Sequence, residues 1–516
     1  MKEPIPHGHI TKKLRRSLLI IIGFGLIMAG LLGTTVGLVN YNIAQTAARS
    51  KQIADNNLKV LLQSQQKFSL PENTSYTPST LDQATLVNVI ARNQPSVVRI
   101  ATMYCADITL TSAQATVNFA DTCSGKVGSG SLISSDGYIA TSGHVVSTTP
   151  ATALVNFLTT NDLVNRYLSY LVNSQLLSAS EAVTIKNGIA KNDTDAEAAL
   201  VATADTIPGR QIHTGNVTNE YAIQLSNMPI AIDKTHNRLT FEYSSSVVKA
   251  NFVDQDFNQV TSDNALAGSG QFTSSDVALL KAVGSFPYIT LGSLDTVKVG
   301  DQLTAIGFPS AINGVNSTLT QTVPSITQGK VKDISYDSSA KVRRILSTSV
   351  PIGQGNSGGP ALDNAGDEVG INTYSLIECP DLKCYGDGQV RDIADLKALV
   401  AKDDINLKTG GVIDDWTKAL TAYTKGNYAD ALTGLNKVQS EYPANYLVAP
   451  LLEVAKLQVG TATDTSTSYQ AQGLVTIILI ILAIAIVVVA IILTILIIIF
   501  TAKYHLTIRK NNRVKQ

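Results

Sequence analysis

From residue 85 onward much of the chain is written in short runs rich in β-branched residues, "SVVRIAT", "GSGSLISSDGYIATSGHVV", "DVALLKAV", "DQLTAIGF", "KVRRILSTSV" and "EVGINTYS". Gly, Asp, Asn and Pro separate them, and that alternation predicts an all-β barrel or sandwich. Residues 150–271 interrupt the pattern. There "NDLVNRYLSYLVNSQLL" sets Leu163, Tyr167, Tyr170 and Leu171 on one helical face, and Ser178 with Glu181 predicts a capping box for a second helix. A strand pair around Thr235 to Asn237 follows, so the stretch reads as an α/β insertion. Residues 412–458 return to helix. Trp416, Leu420, Tyr423, Tyr428, Ala431, Leu432 and Leu435 fit two packed amphipathic helices joined at Gly426, with Pro443 ending the second, which resembles a single tetratricopeptide-type hairpin.

Two uncharged runs bracket these segments. Residues 17–39 and 473–500 are each long enough, at about 1.5 Å of helix per residue, to cross a bilayer core, and two transmembrane helices are expected. Lys12, Lys13, Arg15 and Arg16 precede the first, while Lys503, Arg509, Lys510, Arg513 and Lys515 follow the second, so both tails are expected in the cytoplasm and the remainder outside it. Residues 44–66 read as a helical stalk. The expected order is a tail (1–16), span (17–39), stalk and linker (40–84), β-rich region (85–395) with its insertion (150–271), helical hairpin (396–460), linker (461–472), span (473–500) and tail (501–516). The four cysteines fall as two local couples, Cys105 with Cys123 and Cys379 with Cys384, as disulfides outside the cytoplasm do, and lack the paired C-x-x-C spacing of zinc sites. Forty basic residues cancel forty acidic ones, so nothing argues for nucleic acid as a partner.

Residues 351–363, "PIGQGNSGGPALD", surround one hydroxyl, Ser357, with residues that let backbone N–H groups turn inward. That arrangement suits an oxyanion hole. Gly355 to Gly359 also satisfy G-x-S-x-G, the nucleophile elbow of α/β-hydrolases. That fold needs its histidine after the serine, and the first one after Ser357 is His505, beyond the second apolar run. His7 and His9 lie in the N-terminal tail. His213 and His236 sit in polar, turn-like surroundings, leaving His144, at the end of "DGYIATSGHVV", as the base a serine nucleophile requires.

In the order His, Asp, Ser, the segments "GSGSLISSDGYIATSGHVV", "SSDVALLK" and "GQGNSGGPALDNAGDEVGINTYS" resemble the catalytic segments of trypsin-like serine proteases, most closely the HtrA (Deg) branch. The resemblance covers roughly residues 85–150 and 245–378. It implies two antiparallel six-stranded barrels with the site between them, no metal and no organic cofactor. Position by position it implies His144 as general base, Asp276 as orienting carboxylate and Ser357 as nucleophile, with the amides of Gly355, Ser357 and Asn356 forming the oxyanion hole. Asp254, Asp256 and Asp263 are rivals for the carboxylate. Pro351, Ile352 and the returning strand, Gly370, Ile371, Asn372 and Thr373, would wall the primary pocket, with a small or medium apolar residue preferred there.

The chain departs from that family in the separation of 132 positions from His144 to Asp276, in the absence of a PDZ-like module, and in the apolar run at each end. The expected function is a membrane-anchored, extracytoplasmic serine endopeptidase acting on unfolded or exposed protein segments. A trimer, as in the family, is compatible with the sequence, though nothing in it demands one. The rival expectation is an idle binding or sensing module that holds partner proteins on its barrels and helical hairpin. Sequons at Asn73, Asn192, Asn216 and Asn316 matter only in a glycosylating host.

Overall fold

The computed structural model describes residues 45, 48–49, 51–59, 83–233, 238–259, 273–309, 323–336, 342–375, 386–461 and 463–466, and, toward the C-terminus, 475, 477–486, 488–489, 492–493, 495–497, 499–500 and 503. Two compact units are distinguished, residues 55–420 with 433–453, and residues 1–54 with 421–432 and 454–516. The larger holds everything on which the site depends.

It opens on helix α1 (Gln83–Asn93) and two long strands, β1 (Val97–Thr111) and β2 (Thr116–Leu132). Then come β3 (Tyr138–Thr141), the one-turn helix α2 (Gly143–Val146), and helices α3 (Pro150–Phe157), α4 (Asn161–Asn173), α5 (Ala179–Ile189) and α6 (Thr194–Ala202). Strands β4 (Ile212–Gln224), β5 (Ile232–Asp233), β6 (Thr240–Phe241), β7 (Val247–Asp256) and β8 (Val277–Ala282) follow. Strands β1, β2, β3, β8, β7 and β4 close in that order into an antiparallel barrel, and β5 pairs only with β6. A second closed barrel takes β9 (Gln302–Gly307), β10 (Ser325–Tyr336), β11 (Arg344–Ile352), β12 (Pro360–Leu362), β13 (Glu368–Ser375) and β14 (Gly386–Asp392), in the order β10, β11, β14, β13, β12, β9. These are the two six-stranded barrels implied by the resemblance.

The stretch 150–271 needs correction. Its helices and the β5–β6 hairpin stand apart from the first barrel's sheet, whereas β4 and β7, both inside it, are barrel staves paired at Tyr221–Ala250 through Gln224–Val247. The first barrel is therefore incomplete without residues assigned to an insertion. The reason is visible in β4. Residues 213–219 are exposed and only 221–224 are buried, so the strand is announced at its end, from Tyr221, and not along the stretch before it. Helices α3 to α6 build a cluster of their own, with Leu154, Tyr167, Leu168, Leu171 and Leu200 packed on Ile108, Leu110 and Phe119 where β1 and β2 run past the barrel. The capping box forms, with the Ser178 hydroxyl accepting from the Glu181 N–H and the Glu181 carboxylate from the Ser178 N–H.

After the second barrel come α7 (Ile393–Lys402), α8 (Val412–Thr424), α9 (Tyr428–Glu441) and α10 (Val448–Gln458). The hairpin closes where Gly434 meets Ala419, a contact of 2.9 Å for any added Cβ, and where Lys437 pairs with Asp415 at 3.0 Å. Gly426, at φ 76°, makes the turn. A third helix, α10, follows the two expected. Trp416, fully buried, donates its indole N–H to the carbonyls of Ala91 and Arg92, and Val412, Tyr442 and Ala444 join the core of the first barrel. Residues 412–416 and 442–444 are thereby fastened to α1 and the first barrel.

The expected span 17–39 lies outside the described residues, as do Cys379, Cys384 and His236. The span 473–500 is described in part, as helix at 477–486 and neighbouring positions. Among the described residues no helix is long and apolar enough to cross a membrane.

Candidate active site

Each of the three candidate residues stands where a barrel strand starts or ends. Strand β3 finishes at Thr141 and Ser142 stays extended (φ −78°, ψ 145°), so α2 begins at once with His144 in its first turn. Asp276 immediately precedes β8 and adopts φ 56°, a left-handed conformation that Asp tolerates better than most residues. Ser357 lies in the turn between β11 and β12, where Gly355 (φ 89°) and Gly358 (φ 86°) take backbone angles that suit glycine.

The first barrel fixes the serine turn through β2. Ser129 donates its N–H to the Ser357 carbonyl at 2.8 Å and its hydroxyl to the Gly355 carbonyl at 2.7 Å. Gly358 N–H donates to the Asn372 carbonyl at 2.7 Å. Among the described residues neither Gly355 N–H nor Ser357 N–H donates to a protein acceptor, while Asn356 N–H is spent on the Gly353 carbonyl at 3.1 Å. Of the three amides expected in an oxyanion hole, two are available and that of Asn356 is not.

Asp276, buried, accepts the ring Nδ1–H of His144 at 2.8 Å and its backbone N–H at 2.9 Å. Burial by itself would raise the Asp276 carboxyl; the charge and ring N–H of His144, the Thr373 hydroxyl and the His144 amide outweigh it and hold the group below its ordinary value. An ionised carboxylate only accepts, so His144 carries its proton on Nδ1 and leaves Nε2 as a base.

Thr373 completes the group. Its hydroxyl donates to Asp276 Oδ2, and its carbonyl accepts the Ser357 hydroxyl at 2.8 Å. A continuous hydrogen-bonded path thus runs from His144 through Asp276 and Thr373 to Ser357, and the Ser357 proton points at Thr373 rather than at His144. The sequence puts Thr373 only in a pocket wall. Its contact joins the two barrels: Ile371 of β13 and Val277 and Leu279 of β8 share one buried cluster, and Thr373, two residues on from Ile371, meets Asp276, the residue before Val277.

The rival carboxylates are engaged elsewhere. Asp254 pairs with Lys402, Asp256 accepts from the N–H and hydroxyl of Ser275, and Asp263 lies outside the described residues. Of the expected pocket residues, Ile352 is buried in the second barrel's core and lies against Gly388. A Cβ on Gly370 would sit 2.4 Å from the Arg391 carbonyl, Ile371 packs toward the first barrel and α7, and Asn372, buried, donates its side-chain amide to the Pro360 carbonyl at 3.2 Å. His213 is an exposed residue of β4. The Cys105–Cys123 disulfide is present, joining directly paired positions of β1 and β2.

Residues 128–371, which include all three candidates, match the family described as Trypsin-like peptidase domain. A probable periplasmic serine endoprotease DegP-like of Pseudomonas fluorescens is 34% identical over 194 residues, covering 36% of each chain. One of the same description from Pseudomonas savastanoi pv. phaseolicola is 36% identical over 199 residues, covering 37% of each. The matched part is thus little more than a third of those relatives' length. The solved structure of the HtrA-type protease AlgW with decapeptide covers 61% of this chain and 66% of that one at 14% identity, with a TM-score of 0.32, too low to bear on function.

Proposed function

We propose that the chain is a serine-type endopeptidase of the HtrA kind that hydrolyses peptide bonds in unfolded or exposed protein segments outside the cytoplasm. The observation that carries this reading is the hydrogen-bonded path His144–Asp276–Thr373–Ser357, buried at Asp276 and Thr373 and partly open at His144 and Ser357, beside two unspent amides.

In the reaction Ser357 Oγ leaves the Thr373 carbonyl, turns to His144 Nε2 and attacks the substrate carbonyl as its proton passes to Nε2. Such contacts commonly form only once substrate is bound. The Gly355 and Ser357 N–H groups take the developing oxyanion. His144, charged and stabilised by Asp276, returns the proton to the leaving amine as the C–N bond breaks. Water then attacks the acyl-enzyme by the same route in reverse and releases Ser357.

An extracytoplasmic setting is supported by the Cys105–Cys123 disulfide and by relatives named periplasmic. Membrane anchoring is supported at the C-terminal end by the charge-free run 473–500, most of whose described side chains, among them Ile484, Ile486 and Phe500, are exposed apolar groups.

The test is labelling of the full chain by a fluorophosphonate, with Ser357→Ala as control. Labelling of the wild type alone is expected; equal labelling of both proteins, or of neither, overturns the assignment.

A further inference from the structure

The histidine stands on an element too short to hold itself. Helix α2 has four residues, and a first helical turn fixes several dihedrals in exchange for one hydrogen bond. Its internal bonds are Val145 N–H to the Ser142 carbonyl and Ser147 N–H to the Gly143 carbonyl, which leave the carbonyls of its last residues in need of donors. Two side chains supply them. Lys126 Nζ donates to the Ser147 carbonyl at 2.7 Å and to the His144 carbonyl at 3.4 Å, and the Thr102 hydroxyl donates to the Val145 carbonyl at 3.2 Å. Thr102 and Lys126 are cross-strand partners on β1 and β2, so both side chains leave the sheet on the same face and meet one turn together.

The opposite end of that turn is held by Asp276, which accepts the His144 N–H. Its negative charge lies at the donor end of the turn and the Lys126 ammonium at the acceptor end, the arrangement a helical dipole favours. Strand β2 also grips the serine turn through Ser129, three residues beyond Lys126. One strand therefore registers base against nucleophile: Lys126 holds the turn of His144 and Ser129 holds the turn of Ser357.

From this geometry we infer that Lys126, with Thr102 beside it, is a positioning residue for His144, acting on the proton-transfer step through the carbonyls of α2. The inference rests on the peptidase reading for its kinetic consequence, though not for its structural one.

The test uses the full chain with Lys126→Met, which keeps the stem and removes the donor, Lys126→Arg, which restores a cation, and the milder Thr102→Val. Lys126→Met is expected to lower kcat and the rate of fluorophosphonate labelling about tenfold or more with KM little changed, and Lys126→Arg to recover most of that loss. Hydrogen exchange of the amides at 143–147 is read in parallel, and in Lys126→Met they lose about tenfold protection while those of β3 keep theirs. Thr102→Val is expected to give the same pattern more weakly, and it carries the comparison should Lys126→Met not fold. Unchanged protection at 143–147, a kinetic loss confined to KM, or no recovery with Arg overturns the inference. A wild type that resists labelling sinks the peptidase reading alone, because the exchange measurement still decides whether Lys126 holds the turn.

Discussion

Asp276 grips His144 at two points, taking both the ring Nδ1–H and the backbone N–H with one carboxylate. A single residue therefore sets the tautomer of the imidazole and the start of the turn that carries it. Asp276→Asn separates these roles. Asn tolerates φ 56° nearly as well as Asp and still accepts the backbone N–H through Oδ1, so the fold persists. Its NH2 group, however, donates where His144 needs an acceptor, which drives the ring proton toward Nε2. The expected result is a fall in kcat of about 10⁴-fold with little change in melting temperature. Asp276→Ala is expected to lose stability as well, because it removes three accepted bonds and leaves a side chain poorly suited to that φ. Steady-state kinetics beside thermal melts check both.

A second carboxyl spans the barrels. Glu368, at the start of β13 and wholly buried, accepts the Ser131 hydroxyl of β2 at 2.7 Å, and its other oxygen has no hydrogen-bond partner among the described residues. Burial pushes its pKa up from 4.5 to about 8, only partly offset by the Ser131 bond. The sign follows: the unfolded chain ionises this group first, so its contribution is fully present below pH 4.5 and is lost as pH rises through about 8. Stability should fall by up to about 1.4 kcal/mol per pH unit within that window and level off above it. Glu368→Gln, which cannot ionise, should flatten the slope. Urea midpoints of both proteins across the window check this, and equal slopes would contradict it.

How much of this is legible in the sequence depends on whether the determining contacts are local. His144, Asp276 and Ser357 each sit in a short segment whose turn chemistry is written in adjacent residues, and the hydrolase elbow fails on residue order alone. Thr373 is different, since its hydroxyl matters only because the fold brings β13 of the second barrel against Asp276 at the start of β8 in the first, a contact across the barrels that no local pattern specifies. Asn356 is likewise indistinguishable from its neighbours until the turn closes and commits its N–H to Gly353. The solvent-facing part of β4, before Tyr221, escapes notice while its buried end at 221–224 does not, and the capping box at Ser178 is readable because both partners lie within one turn.

The disulfide tests whether the far end of the β1–β2 ribbon matters to the site. Cys105 and Cys123 are buried paired positions with a sequence separation of 18, a loop for which cross-linking is worth about 3 kcal/mol through the unfolded chain. The double change Cys105→Ala, Cys123→Ala should lower the melting temperature by several degrees, the scale of a loss of that size. Since β2 holds the serine turn further along, through Ser129, kcat below the transition should stay near wild type. A large loss of kcat in a protein still fully folded would mean that the bridge also sets the geometry of the site.

Beside Ser357 the two barrels meet closely, the Gly358 backbone against backbone and one hydroxyl of the first. A Cβ on Gly358 would lie 2.2 Å from the Ser129 carbonyl oxygen and from Thr141 Oγ1, and 3.0 Å from the Ser142 N–H, all first-barrel atoms, at a φ of 86°. Neither Ser129 nor Thr141 can yield cheaply. Ser129 holds the Ser357 turn, and the Thr141 hydroxyl donates to the Ser129 carbonyl at 2.7 Å. Gly358→Ala should therefore force the serine turn away from β2 and the end of β3, costing roughly 3 kcal/mol or more from overpacking and the left-handed conformation together. Labelling of Ser357 and the melting temperature should fall together, in contrast to Ser357→Ala, which should abolish labelling while leaving the melting temperature nearly untouched. A Gly358→Ala protein with wild-type stability and labelling would mean that the two barrels do not meet this closely at the serine turn.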